Sequence, residues 1–196
     1  MSKVKLYLVR HGKTMFNTIG RAQGWSDTPL TAEGELGIHE LGIGLRESGL
    51  QFDRAYSSDS GRTIQTMGII LEELGLQGKI PYRMDKRIRE WCFGSFDGAY
   101  DGDLFMGLIP RIFNVDHVHQ LSYAELAEGL VEVDTAGWAE GWEKLSGRIK
   151  EGFEAIAKEM EEQGGGNALV VSHGMTIGTI VYLINGMHPH GLDNGS

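Results

Sequence analysis

Strand-length apolar segments alternate along this chain with longer segments whose apolar residues recur at helical spacing. The first strand, at Val4–Val9, is apolar on both faces, which is typical of a strand with helices packed on either side. Another buried strand is predicted at Ala168–Val171. Because strands separated by helices pair in parallel, the sequence predicts an α/β fold, a three-layer α/β/α sandwich with a mostly parallel central sheet. We expect one domain over residues 1–196, in which a small helical insertion at about 99–137 forms a lid.

Capping and stop signals place four helices around these strands. Thr31 and Ser60 are predicted N-caps, and a glycine ends each of the two helices that they begin. Glycine accounts for 29 of the 196 residues, about twice its usual share. We interpret the glycines inside the first of these helices, Gly34, Gly37, Gly42 and Gly44, as points of close packing between helix and sheet. The predicted helices are Thr31–Gly49, Ser60–Gly75, Trp138–Met160 and Met175–Ile184, and further short strands are predicted at Phe52–Tyr56 and Ile80–Arg83.

Composition excludes several classes of protein. The formal net charge is −9, so the chain lacks the basic character of a general nucleic-acid binder, and an anionic substrate needs a local positive pocket. Cys92 is the single cysteine, which rules out an internal disulfide and a four-cysteine zinc site. The longest apolar run, Thr179–Ile184, is far shorter than the ~20 residues that span a bilayer. With no signal-peptide pattern at the N-terminus, we expect a cytoplasmic enzyme without nucleic-acid or membrane partners.

Two of the predicted strands end in a histidine followed by a glycine. Arg10-His11-Gly12 closes the first strand and Ser172-His173-Gly174 closes the late one. The carboxyl ends of parallel strands line the ligand crevice of an open α/β sheet, and a glycine there permits a sharp turn or a close approach to a ligand. We therefore expect both histidines in one site, with a helix starting directly after each and offering its backbone N–H groups.

Four blocks of residues combine these motifs with others along the chain. They are Leu8–Gly12 with Asn17 and Gln23–Thr31 beyond it, Ser57–Thr66, Arg89–Gly98 and Val171–Gly174. In combination they resemble the histidine phosphatase superfamily, also called the phosphoglycerate mutase-like family. The resemblance covers nearly the whole chain and is least informative over 99–137. It implies the sandwich fold and an enzyme that acts on phosphate esters.

The resemblance also implies a role for each site residue. His11 is the nucleophile that attacks phosphorus and forms a phosphohistidine. Glu90 is the general acid that protonates the leaving oxygen and then the general base for the hydrolytic water. Arg10, Arg62 and His173 donate to the phosphoryl group, and a backbone carbonyl on the other ring nitrogen of His11 would fix its tautomer. The residues expected to touch phosphate or substrate are Gly12, Asn17, Gln23 and Gly24.

The composition of the segment after the third block indicates whether the enzyme is a phosphatase or a mutase. Mutase members of the family bind a second anionic group there through basic residues that include an adjacent arginine pair. In this chain the segment Ala99–Gly137 holds one arginine, Arg111, no lysine and seven acidic residues, a composition that repels a second anion. We therefore expect hydrolysis of a small-molecule phosphate monoester without a cofactor. The alternative is an isomerase, a phosphoglycerate mutase that uses the same phosphohistidine with 2,3-bisphosphoglycerate and takes its second anion site from Lys13, Lys86 or Arg87.

Rival chemistries lack their motifs. Cys92 has no arginine at the spacing of cysteine phosphatases, and neither a phosphate-binding P-loop nor Gly-x-Ser-x-Gly occurs. The pairs His117/His119 and His188/His190 have metal-ligand character, but their irregular surroundings favour exposed surface histidines, so we expect no metal. An inactive scaffold that binds phosphorylated partners is a third alternative.

The last residues depart from the family pattern. Members of the family continue beyond the last helix into another strand, whereas this sequence ends at Gly191–Ser196. We expect either a shortened form or an incomplete chain. The missing strand affects which strand forms the edge of the sheet and whether a homodimer forms through that edge. The catalytic positions do not depend on it.

Overall fold

The computed structural model describes residues 3–186 and 194–195. The strands in this part of the chain are β1 (Val4–Arg10), β2 (Arg54–Ser57), β3 (Tyr82–Met84) and β4 (Gly166–Ser172). They form one sheet in the order β1–β4–β2–β3, and every neighbouring pair is parallel. The register places Arg10 beside Ser172, so β1 and β4 end level and the residues that follow them meet at one edge of the sheet.

Seven α-helices occur in the described residues. They are α1 (Met15–Thr18), α2 (Ala32–Glu47), α3 (Gly61–Glu73), α4 (Ile109–Phe113), α5 (Tyr123–Val133), α6 (Trp142–Glu162) and α7 (Gly174–Asn185). A π-helical turn at Asp103–Leu108 leads into α4, and 3₁₀ turns lie at Lys86–Ile88, Gly94–Phe96 and Val118–Gln120. None of the helices described is both long enough and apolar enough to cross a membrane.

Successive residues of β4 face opposite cores, as expected of a strand covered on both sides. Leu169 and Val171 pack with apolar residues of α2 and α3 on one face of the sheet. Ala168 and Val170 pack with apolar residues of α5, α6 and α7 on the other face. The predicted three-layer sandwich with a parallel sheet is therefore confirmed.

The insertion is helical, as predicted, and folds against the layer that contains α6. Leu104 and Ile109 are buried in the same core as α6, and Leu130 of α5 joins them. Phe105 and Tyr123 of the same segment line a pocket that also contains His11. The insertion is thus part of the packed core and part of the candidate site at once.

Some predicted boundaries are wrong. β2 and β3 each begin two residues later than predicted. The long helix α6 begins at Trp142 rather than at Trp138. The reason is Asp134, whose carboxylate accepts the backbone N–H groups of Trp138 and Ala139 at 2.6 and 2.7 Å and holds that segment as a loop.

Gly34 in α2 occupies a point where no side chain fits. Thr31 caps α2 by accepting the Gly34 N–H on its side-chain oxygen at 3.0 Å, and its own N–H donates to the Lys13 carbonyl at 2.9 Å. These bonds draw the first turn of α2 so close to Lys13 that a Cβ at position 34 would overlap that carbonyl oxygen. Gly37, one turn further along α2, has no neighbouring heavy atom within 4 Å of its Cβ position. Close packing is therefore confirmed for Gly34, although against the Lys13 backbone rather than the sheet, and the interpretation is wrong for Gly37 and for Gly44, whose Cβ position is equally open.

Replacing Gly34 with alanine is expected to lower the free energy of unfolding by about 2 kcal/mol, because the backbone must move to relieve the overlap. The matched change Gly37→Ala should instead raise that free energy by up to about 1 kcal/mol, since alanine is the better helix former and meets no neighbour. Urea denaturation followed by circular dichroism measures both. Equal effects of the two substitutions would show that Lys13 does not limit the side chain at position 34.

Candidate active site

The two histidines predicted from the strand ends lie side by side at the carboxyl edge of the sheet. His11 follows β1, His173 follows β4, and their ring centroids are 5.3 Å apart. The His11 N–H donates to the Ser172 carbonyl at 3.1 Å, which continues the β1–β4 ladder up to the site. Both side chains are buried. The sheet register therefore brings together two motifs from opposite ends of the chain.

The tautomer of His11 is set by its neighbour in sequence. Nδ1 lies 2.8 Å from the Gly12 carbonyl oxygen, and because a carbonyl only accepts, Nδ1 carries the proton and Nε2 carries the lone pair. Burial, together with the positive charges of Arg62 and Arg10, holds the pKa of His11 well below its usual range despite the Gly12 carbonyl. His11 is therefore a neutral imidazole at pH 7 with a nucleophilic nitrogen at Nε2.

Arg62 and His173 form a buried pair behind the pocket. Terminal nitrogens of Arg62 donate to Asp27 Oδ1 at 2.8 Å, to the Gly24 carbonyl at 2.8 Å and to His173 Nδ1 at 2.9 Å. Because a guanidinium only donates, His173 Nδ1 accepts, and its Nε2–H donates to the Ser58 hydroxyl at 2.7 Å. Both side chains are fully buried and neither lines the pocket, so their contact with the phosphoryl group stays a prediction.

The buried pair still places positive charge next to His11. Burial, with the Arg62 guanidinium beside it, holds the pKa of His173 well below its usual range, so the charge of the pair resides on Arg62. The Arg62 Nε–H has no acceptor among the described residues. A buried donor without a partner is costly, and a bound oxyanion would satisfy it.

Arg10 is the predicted arginine that reaches the pocket wall. It is the last residue of β1 and lines the pocket together with His11. Gly174, the first residue of α7, packs against its guanidinium, and a Cβ at that position would lie 3.2 Å from Arg10 Nε. The glycine of the second motif therefore makes room for the arginine of the first.

Glu90 is held at the N-terminus of α7. Its Oε1 accepts the backbone N–H groups of Trp91 and Thr176, both at 3.0 Å, and the Thr176 hydroxyl at 3.1 Å. Its Oε2 accepts the Met175 N–H at 3.2 Å. These donors and the helix dipole fix the carboxylate and stabilise its negative charge. Oε2 is the less engaged oxygen, and Glu90 lines the pocket as predicted.

The prediction of a helix directly after His11 is wrong. α1 begins only at Met15 and has 4 residues. The Met15 N–H donates to the Pro29 carbonyl, and the Gly12 N–H donates to the Thr66 hydroxyl at 3.0 Å. These N–H groups are already bonded within the protein, so they are not open to a phosphate. α7 does begin directly after the second histidine, but its first amides bind Glu90.

A pocket of about 320 Å³ opens beside His11, within the range of small-molecule sites. Of the residues predicted to touch substrate, Asn17 and Gln23 line this pocket. Gly12 and Gly24 do not line it, and their backbone N–H groups donate to the side chains of Thr66 and Asp97. The glycines therefore shape the loops around the site, and a direct contact with substrate stays a prediction for them.

Three side chains of the site were missed or undervalued in the sequence. Arg21 and Asp101 both line the pocket. From the sequence, Asp101 is only one of seven acidic residues of the insertion, and Arg21 is not predicted as a site residue. Asn194 donates to the His11 carbonyl at 3.1 Å and to Asn17 Oδ1 at 3.2 Å. The one local signal is the position of Arg21, which lies between two predicted substrate residues, Asn17 and Gln23.

The histidine pairs lie away from the pocket where the structure describes them. His117 and His119 are exposed, as expected for surface residues. Within residues 3–186 and 194–195, no group of three or more His, Cys, Asp or Glu side chains is arranged to hold a metal ion. The pair His188/His190 lies outside the described residues. Independence from metal stays a prediction.

Comparison with known proteins identifies the family to which this chain belongs. The model of the histidine phosphatase superfamily (branch 1) matches residues 6–195. The chain therefore belongs to this superfamily, and the resemblance found in its four blocks is confirmed. Proteins similar to this chain are named both as mutases and as phosphatases.

Three relatives illustrate that range. The chain is 36% identical to a phosphoglycerate mutase from Bacillus anthracis strain Sterne, with a TM-score of 0.92 over 100% of this chain and 86% of that one. It is 32% identical over 186 residues to the probable phosphoglycerate mutase GpmB of Salmonella choleraesuis, covering 94% of this chain and 76% of the relative. A putative alpha-ribazole-5'-P phosphatase from Escherichia coli is 26% identical, with a TM-score of 0.68 over 94% of this chain and 81% of that one.

Proposed function

We propose that this protein hydrolyses small phosphate monoesters through a phosphohistidine on His11. The observation that carries the proposal is the His11 imidazole, which is buried and neutral, with Nδ1 bonded to Gly12 and Nε2 left for attack. A phosphoryl group carries nearly two negative charges, and its transfer depends on positioning and positive charge. Arg10 on the wall and Arg62 behind it supply that charge in a chain whose formal net charge is −9.

The reaction proceeds in two steps. First, His11 Nε2 attacks phosphorus, the ester P–O bond breaks, and Glu90 Oε2 gives a proton to the departing alcohol oxygen. This step requires Glu90 to enter the reaction carrying that proton. Second, a water molecule attacks phosphorus, the P–N bond breaks, and Glu90 takes the proton of the water. The products are the alcohol and inorganic phosphate.

The basic residues on the pocket wall favour a substrate with a single phosphate group. Arg111, the single arginine of the insertion, is exposed and does not line it. Lys13, Lys86 and Arg87, the other residues considered for a second anion site, do not line it either. Among the described residues the pocket therefore lacks the adjacent basic pair that a second carboxylate or phosphate needs, which favours hydrolysis.

Phosphoglycerate mutase activity with 2,3-bisphosphoglycerate is the second candidate. Two of the relatives above carry that name, and Arg21 adds a basic side chain to the pocket wall. The Arg21 guanidinium, however, donates to the Gly98 carbonyl and lies 4.5 Å from the centroid of the Tyr100 ring. Because these contacts already engage Arg21, hydrolysis is the activity that we favour.

The test compares two activities of the purified protein, each measured with and without millimolar chelator. One assay follows phosphate release from p-nitrophenyl phosphate and from 3-phosphoglycerate; the other follows conversion of 3- to 2-phosphoglycerate with and without 2,3-bisphosphoglycerate. We expect phosphate release to outpace interconversion, with no effect of the chelator, because the arginines already supply positive charge. Interconversion much faster than phosphate release would identify the protein as a mutase. Loss of activity with chelator would show that the reaction requires a metal ion.

A further inference from the structure

Residues 20–22 and 98–101 run antiparallel beside the pocket. The backbone contacts include the Asp101 N–H, which donates to the Gly20 carbonyl at 3.0 Å. This pairing places Arg21 and Asp101, two side chains of opposite charge, on the pocket wall. Asp101 begins the part of the wall that the insertion supplies, which we call the insertion wall. The insertion wall consists of Asp101, Phe105 and Tyr123.

Arg21 and Asp101 differ in whether other groups of the protein already bind their charged side chains. The Arg21 guanidinium is engaged by the Gly98 carbonyl and by the Tyr100 ring. The Asp101 carboxylate is exposed, and within the described part of the chain it makes neither an ion pair nor a hydrogen bond. The negative charge of Asp101 is therefore the one available to the part of a substrate that lies beyond its phosphate.

We propose that Asp101 selects the leaving group, an inference that rests on the hydrolysis proposed above. A second carboxylate or phosphate on the substrate is repelled by Asp101, whereas a hydroxyl or ammonium group donates a hydrogen bond to it. Phe105 and Tyr123 provide aromatic surface next to that acceptor. The substrate class is a monophosphate of an uncharged or cationic alcohol with an apolar part.

The experiment uses three aromatic substrates that differ only at the para position. They are phenyl phosphate, its 4-carboxy derivative and its 4-aminomethyl derivative, and kcat/KM is measured for each with the wild type and with Asp101→Asn. Asp103→Asn is the matched control, because Asp103 is an exposed acid two residues further on that does not line the pocket. Each variant is compared with the wild type on the same substrate, so the electronic effects of the para groups cancel.

We expect Asp101→Asn to raise kcat/KM for the carboxy substrate, relative to that for phenyl phosphate, by about threefold. It should lower the ratio for the aminomethyl substrate by a similar factor, the scale on which exposed charges interact. Asp103→Asn should leave both ratios unchanged. Unchanged ratios in Asp101→Asn, or the same shift in Asp103→Asn, would overturn the role of Asp101 while hydrolysis stands. A wild-type protein that hydrolyses none of the three would overturn both the proposed function and this inference. Thermal melting of each variant confirms that the comparison is made on folded protein.

Discussion

Replacing His11 with alanine is expected to reduce kcat for phosphomonoester hydrolysis by at least about 10⁴-fold, the scale on which loss of a covalent nucleophile acts. Without the imidazole, Arg10 and Arg62 still attract phosphate, but no group is left to accept the phosphoryl group. Water must then attack the ester directly. Initial rates with p-nitrophenyl phosphate, on equal amounts of folded protein, give the ratio.

His117→Ala is the matched control for that substitution. His117 is an exposed histidine of the insertion and does not line the pocket. Its replacement should leave kcat at the wild-type value. A kcat of His11→Ala within about tenfold of the wild type would show that His11 is not the nucleophile. A loss that small is explained by poorer positioning of the substrate alone.

Glu90→Gln is expected to slow hydrolysis of an alkyl phosphate by about 10² to 10⁴-fold and that of p-nitrophenyl phosphate far less. A poor leaving group needs a proton as its bond breaks, whereas p-nitrophenolate leaves without one. Glutamine keeps the size of the side chain and an oxygen for the Trp91 and Thr176 donors, but it removes the acid at Oε2. The dependence of kcat/KM on the pKa of the leaving alcohol measures the effect.

Glu143→Gln, on the exposed surface of α6, controls for the loss of one negative charge. It should leave the dependence on the leaving group unchanged. Equal losses for alkyl and p-nitrophenyl phosphates in Glu90→Gln would instead assign Glu90 to the binding of substrate or to the anchoring of α7.

The sequence predicted the layers and the positions of the two histidines because those features depend on short-range patterns. Apolar runs mark the buried strands, and the register of β1 against β4 then brings the two strand ends level. The carbonyl contact expected on His11 is local as well, since it comes from the adjacent residue, Gly12. Thr31 was recognised as a cap from its side chain and its place before an apolar period.

The features that sequence analysis missed depend on partners far along the chain. The Gly12 N–H donates to the side chain of Thr66 from α3, and this contact lies in a segment without helix where a helix start is predicted from the sequence. Arg21 and Asp101 reach the same pocket through pairing of segments that no periodicity connects.

Gly34 and Gly37 show the same limit within one helix. They are identical residues separated by one turn of α2, and the sequence offers no means of ranking them. Only the approach of the Lys13 carbonyl distinguishes the position that must be glycine from the one that need not be.

The most direct measurement locates the phosphoryl group during turnover. Because Nδ1 of His11 is bonded to the Gly12 carbonyl at 2.8 Å, the phosphate must attach to Nε2. Rapid mixing with p-nitrophenyl phosphate, an alkaline quench, peptide mass spectrometry and phosphorus NMR identify both the residue and the nitrogen. We expect phosphate on His11 at Nε2; phosphate on His173, phosphate at Nδ1, or turnover without any phosphohistidine would contradict the mechanism.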